Sequence, residues 1–71
     1  MITETLFECP CCKLRTLTER KHYEICSICN WEDDPLQEER TDYAGGANTV
    51  SLNEARRNFM KHGTIDPRAP S

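Results

Sequence analysis

Four of the five cysteines fall into two C-x-x-C pairs, Cys9/Cys12 and Cys26/Cys29, with residues 13–25 between them. Each pair can turn in a tight knuckle whose backbone N–H groups point at the sulfurs. An intervening stretch of that length can bring two knuckles together around one tetrahedral metal ion. Thiolate tetrahedra suit zinc or iron; one zinc ion is the expected occupant, with a rubredoxin-like iron centre as the alternative. Four protein ligands close the coordination sphere, which points to a structural metal and leaves no open position for a substrate.

Size makes such a staple necessary. A chain of 71 residues forms one small domain, 1–71, and a domain of this size buries only about 60% of the surface its unfolded chain exposes. With 37% hydrophobic residues and a mean hydropathy of −0.74 the apolar core is thin, so metal binding is expected to supply folding free energy on the order of 10 kcal/mol. The odd cysteine count and the absence of an apolar segment after Met1 argue against a secreted disulfide scaffold. No apolar run approaches the roughly 20 residues of a membrane span. A cytoplasmic location is expected.

The formal net charge is −3, and four thiolates around a divalent ion add a further −2. Counterion-release affinity for nucleic acid depends on clustered Lys and Arg, so an acidic domain disfavours it except through a local patch.

Along the chain, Glu4 to Glu8 reads as a short strand leading into the first knuckle. Leu14 to Thr18 alternates, Glu19-Arg20-Lys21 is polar enough for a turn, and His22 to Ile25 returns toward Cys26. These features predict a β-hairpin running between the knuckles, with Tyr23 and Ile25 on one face and His22 and Glu24 on the other. Pro35 disfavours helix at Asp34, and a polar segment follows to Asp42. Tyr43 to Asn48 reads as a loop in which Gly45, Gly46 and Asn48 supply positive-φ positions. The strongest helix signal spans Ser51 to His62. Ser51 and Glu54 form a capping box, Val50 can staple against Ala55, and Gly63 suits the position past the helix end. Leu52, Ala55, Phe59 and Met60 give the buried stripe, with Arg56, Arg57 and Lys61 opposite. Thr64 to Ser71 reads as a loose tail.

Cys9-Pro10-Cys11-Cys12, Tyr23-Glu24-Ile25-Cys26, Cys29-Asn30-Trp31-Glu32-Asp33-Asp34, Tyr43-Ala44-Gly45-Gly46-Ala47-Asn48 and Ser51-Leu52-Asn53-Glu54-Ala55-Arg56 together resemble the small bacterial cysteine-rich CPCC family. The resemblance covers about residues 7–60. It implies a single-domain, zinc-binding bacterial protein and no established reaction. The chain departs from the expected pattern at Lys13, in place of glycine after the first pair, and at Ser27, in place of proline within the second. A lysine held at positive φ costs about 1 kcal/mol.

Other residues invite sharper readings. Cys11 is either a small spacer within the knuckle or a reactive thiol. His22 could substitute for a cysteine, but four thiolates already fill a tetrahedron, which leaves it a surface residue. Glu32, Asp33 and Asp34 are an acidic run of the kind that usually faces solvent. Beside the aromatic rings of Trp31 and Tyr43, these acids offer charge and anchors for a protein partner. Packing over the sulfurs, which shields them from water, is the expected role of Trp31 itself. The Arg56, Arg57 and Lys61 face is either solvated or a nucleic-acid contact. The Gly45-Gly46 loop lacks the lysine and hydroxyl of a phosphate-binding loop, and no catalytic constellation stands out.

The expected fold is a small α+β, zinc-ribbon-like domain: a β-hairpin with two cysteine knuckles plus one C-terminal helix. The expected function is a zinc-stabilised protein-interaction module, not an enzyme, with a regulatory or toxin-neutralising role suited to its acidity. A nucleic-acid-binding zinc ribbon and a small redox or metal-transfer protein are the alternatives.

Overall fold

The computed structural model describes residues 6–67. It shows a small α+β protein: a two-strand antiparallel hairpin, a cysteine cluster, and a C-terminal helix. β1 (Phe7–Glu8) pairs with β2 (Arg15–Leu17) across the first knuckle, with Glu8 opposite Arg15 and Phe7 opposite Leu17. That register leaves Thr16 as an extra residue on β2. A bulge of this kind re-aims a side chain, and Thr16 turns toward the cysteines. Of the strand expected over Glu4 to Glu8, the first two residues lie outside the described region.

The hairpin expected between the knuckles is replaced by one at each knuckle. Ile25 forms an antiparallel bridge with Glu32 across the second knuckle. Between β2 and that bridge the chain cannot stay extended, because Lys21 and Tyr23 adopt left-handed φ values of 63° and 62°. The Glu24 carboxylate gathers the same segment into a loop, accepting from Thr18 N–H at 2.9 Å, Thr18 Oγ1 at 2.9 Å and Glu19 N–H at 3.1 Å. Tyr23 and Ile25 therefore form no buried face; both are exposed, as is His22.

α1 (Pro35–Glu39) occupies part of the predicted polar segment. Asp34 is non-helical, as a residue before proline should be, but it serves as the N-cap. Its Oδ1 accepts from Leu36 N–H at 2.9 Å, and Pro35 opens the helix where its missing N–H costs nothing. α2 (Leu52–His62) matches the predicted helix, with Ser51 Oγ accepting from Glu54 N–H at 3.1 Å and Gly63 left-handed at its end. Leu52 and Ala55 are buried and Phe59 packs against the core, but Met60 points outward at 84% exposure.

The core is built as much from sulfur as from hydrocarbon. Cys9, Cys11, Cys26 and Cys29 are buried with Leu17, Trp31, Val50, Leu52, Ala55 and Ile65. Ile65 belongs to the segment read as a loose tail. Its N–H donates to Cys29 O at 3.1 Å and its carbonyl accepts from Asn58 Nδ2 at 2.7 Å, which ties the chain back to the second knuckle. The rest of that segment, residues 68–71, lies outside the described region. Among the described residues no helix is long and apolar enough to cross a membrane.

Candidate metal centre

The two knuckles have the same backbone. In the first, Lys13 N–H donates to Cys9 O at 2.9 Å and Cys9 N–H to Leu14 O at 2.8 Å; in the second, Asn30 N–H donates to Cys26 O at 2.9 Å and Cys26 N–H to Trp31 O at 2.8 Å. Lys13 and Asn30 occupy equivalent left-handed positions, with φ of 69° and 74°. Asparagine tolerates this conformation, whereas lysine is strained there.

This duplication brings Cys9, Cys12, Cys26 and Cys29 together, with all four Sγ atoms within 4.8 Å of one another. Cys9 and Cys29 are 3.6 Å apart and Cys12 and Cys26 3.7 Å. A tetrahedron with metal–sulfur bonds of about 2.3 Å has edges of about 3.8 Å. The donor set and its spacing thus fit one metal ion, and the cysteines predicted as ligands are the ones assembled.

The surroundings treat the four sulfurs differently. Cys9 is pushed up by its contact with Cys29 and by burial, and burial pushes Cys12 up to about 11. At Cys26 burial also opposes ionisation, but hydrogen bonds outweigh it and hold the thiol down at about 7. The donors are Thr16 Oγ1 at 3.0 Å, Ile28 N–H at 3.4 Å and Cys29 N–H at 3.5 Å. Cys29 is pushed up, chiefly by the Cys11 thiol. Four thiolates this close repel one another unless a cation sits among them.

Cys11, between the ligands of the first knuckle, is only 5% exposed. Arg56 is engaged. Its Nε donates to Pro10 O at 3.0 Å, which anchors α2 on the first knuckle and removes one cation from the predicted basic face.

The predicted partner patch is not on the surface. Trp31 and Asp33 are fully buried and Asp34 nearly so, while Glu32 is half-buried. Only Tyr43 of that group is exposed. Asp34 is occupied by its cap and by Ala47 N–H at 2.9 Å. Asp33 Oδ2 accepts from Lys21 N–H and from Arg20 Nε, and Arg20 Nη2 donates to Glu38 Oε1 at 2.6 Å. Trp31 Nε1 donates to Glu38 Oε2 at 3.4 Å. The acidic run therefore joins the loop after β2 to α1, while Glu38 of α1 accepts from the indole of Trp31, which is buried in the same core as the cysteines. Thr16, Arg20 and Arg56 carried no sequence signal for these roles, because each acts on an atom far away in the chain.

The two four-residue knuckles and the left-handed turn after each, on one chain with a capped C-terminal helix, agree with the outcome of comparison with known proteins. Residues 7–71 match the family described as cysteine-rich CPCC. The chain belongs to that family. No curated protein matches it. In this CPCC protein the family's cysteines form a cluster able to hold a metal ion, which makes it a small metal-binding module.

Proposed function

We propose that this CPCC protein is a zinc-stabilised module that presents the outside of its second knuckle to another protein. The observation that carries the reading is the exposure of Tyr23, Ile25 and Ile28 around that knuckle. A small domain with so thin a core gains by burying large apolar groups, so three left outside in one neighbourhood suit an interface. Beside Ile25 runs a groove of about 700 Å³ that is also lined by Ile65 and Pro67, with the half-buried Glu32 on its wall. A partner segment carrying apolar and basic side chains complements it. Zinc would be held by Cys9, Cys12, Cys26 and Cys29; its contribution is to lock the knuckle backbone so that these side chains are preorganised.

Native mass spectrometry of gently isolated protein tests both halves. One zinc with four protons lost, and a co-isolated protein that disappears in Ile25→Asp/Ile28→Asp while the zinc stays, are the expected results. An iron-loaded or oxidised, metal-free chain overturns the zinc assignment. Unchanged partner retention by the double variant overturns the interface.

A further inference from the structure

Ile25 and Glu32 face each other in the antiparallel bridge that carries the second knuckle. The hydrogen bonds that close the bridge come from their neighbours: Cys26 N–H donates to Trp31 O at 2.8 Å and Asp33 N–H to Glu24 O at 3.0 Å. In a pair of this kind the N–H and C=O of the two facing residues point away from each other, toward the two outer edges. The Glu32 edge is closed, since its N–H and C=O are both taken by the side-chain amide of Asn48. The Ile25 edge is open. Neither its N–H nor its C=O has a hydrogen-bond partner among the described residues, and the residue is 59% exposed. A free donor and acceptor side by side on a strand edge are a template for one more strand.

The groove beside Ile25 selects what that strand carries. No Lys, Arg or His lines it, and the half-buried Glu32 brings it a carboxylate. A residue directly across from Ile25 in an added strand shares the face of Ile25 and Glu32. Two strand spacings, about 10 Å, then separate it from Glu32, a span that a lysine or arginine side chain bridges by reaching toward the carboxylate. We propose that an extended segment of a partner protein, carrying basic and apolar side chains, adds as a strand to the Ile25 edge. Its backbone C=O accepts from Ile25 N–H and its N–H donates to Ile25 O, while Tyr23 and Ile28, exposed on either side in the chain, cover its flanks. Main-chain bonds of this kind supply affinity, and the side chains on the shared face supply selectivity. The inference rests on the reading of the second knuckle as an interface and adds the partner's form, extended rather than helical and basic rather than acidic.

The metal-loaded full chain is titrated with a short fluorescent peptide of alternating valine and lysine, and anisotropy reads the binding. A dissociation constant about tenfold below that of the matching valine–glutamate peptide is expected. Equal binding of the two, or none by either, overturns the proposal. Glu32→Gln is expected to remove most of the preference; a preference that survives it belongs to the net charge and overturns the role given to the groove. Ile25→Pro deletes the outward N–H, keeps an apolar side chain and breaks no hydrogen bond of the fold, a change that an edge position tolerates. It is expected to weaken the valine–lysine peptide about tenfold. Hydrogen exchange on wild type gives a reading that needs no variant: with the peptide bound, the Ile25 amide is expected to exchange about tenfold more slowly or less, and an unchanged rate overturns strand addition. Ile28→Asp separates this proposal from the broader one. Weakening by Ile28→Asp but not by Ile25→Pro keeps an apolar interface and overturns the added strand, whereas indifference to both overturns both.

Discussion

Asn48 pairs with Glu32 through both ends of its side-chain amide. Glu32 N–H donates to Asn48 Oδ1 at 2.8 Å, and Asn48 Nδ2 donates to Glu32 O at 2.8 Å. The amide thereby stands in for one residue of a neighbouring strand and closes the edge of the bridge that carries the second knuckle. Behind it, Gln37 Oε1 accepts from Asn48 N–H and from Nδ2, both at 2.9 Å, and Gln37 Nε2 donates to the carbonyls of Tyr43, Asn48 and Val50. A buried, fully partnered network of this kind fixes one arrangement of the loop.

Asn48→Asp keeps the shape and removes the donor. Glu32 O and Gln37 Oε1 are then left facing a carboxylate inside the protein, and the expected loss of stability is about 3 kcal/mol or more. Chemical unfolding of the metal-loaded protein checks it.

The contrast between the cysteines and this network shows which parts of the structure were legible in the chain. Ligand spacing, the Ser51 cap and the Gly63 stop are local signals, set by residues a few positions apart, and the cysteine cluster and α2 follow them. Asn48 was legible only as a loop residue. Its φ is not positive, and its partners lie 16 and 11 positions away, where no pattern in the sequence points. α1 was missed because five residues carry no helical periodicity, and its Asp34-Pro35 start reads as a break as readily as a cap. The acidic run looked solvated for a related reason. What allows Asp33 inside is Arg20 and the Lys21 N–H, both brought round by a loop whose left-handed residues are not glycines.

Gly46 is required by proximity. A Cβ at this position would stand 2.5 Å from Asp34 Oδ2 and 2.9 Å from the Gln37 side chain, neither free to retreat. Gly46→Ala is expected to cost about 1–3 kcal/mol through overpacking. At Gly63 nothing lies within 4 Å and only the φ of 75° resists substitution, so Gly63→Ala is expected to cost about 1 kcal/mol. Unfolding midpoints of the two variants, compared under the same metal loading, separate the causes.

Lys13 is the strained half of the knuckle pair. Lys13→Gly relieves the left-handed penalty but loosens the unfolded chain, so a net gain of less than about 1 kcal/mol is expected. Asn30→Gly, at the equivalent position, is expected to change stability by less than about 0.5 kcal/mol, since asparagine already tolerates the conformation. Paired unfolding curves read the difference, and equal effects at both positions would contradict it.

Glu38 gives the fold a pH dependence of its own. Burial, then the neighbouring Asp33 carboxylate, raise its pKa from an ordinary 4.5 to about 7. The folded state therefore holds this proton more tightly than the unfolded chain. The associated stability is fully present below pH 4.5 and is lost as pH rises through about 7. Asp33 runs the other way. Burial opposes its ionisation, but Glu38, the Lys21 N–H and Arg20 hold its pKa below the ordinary value, and its contribution is lost as pH falls through that lowered value. Asp33 Oδ1 is buried without a hydrogen-bond partner among the described residues. In Glu38→Gln the amide oxygen can still accept from Arg20, but its NH2 cannot accept from Trp31 Nε1, while it supplies a donor to this pair at every pH. The variant is thus expected to start less stable than wild type near pH 5 and to lose less stability than wild type as pH rises to 8. Thiolate–metal binding also changes over this range and affects both proteins alike, so the quantity to measure is the difference between their denaturant midpoints at each pH. A difference that stays flat from pH 5 to 8 would show that Glu38 is already ionised in the fold.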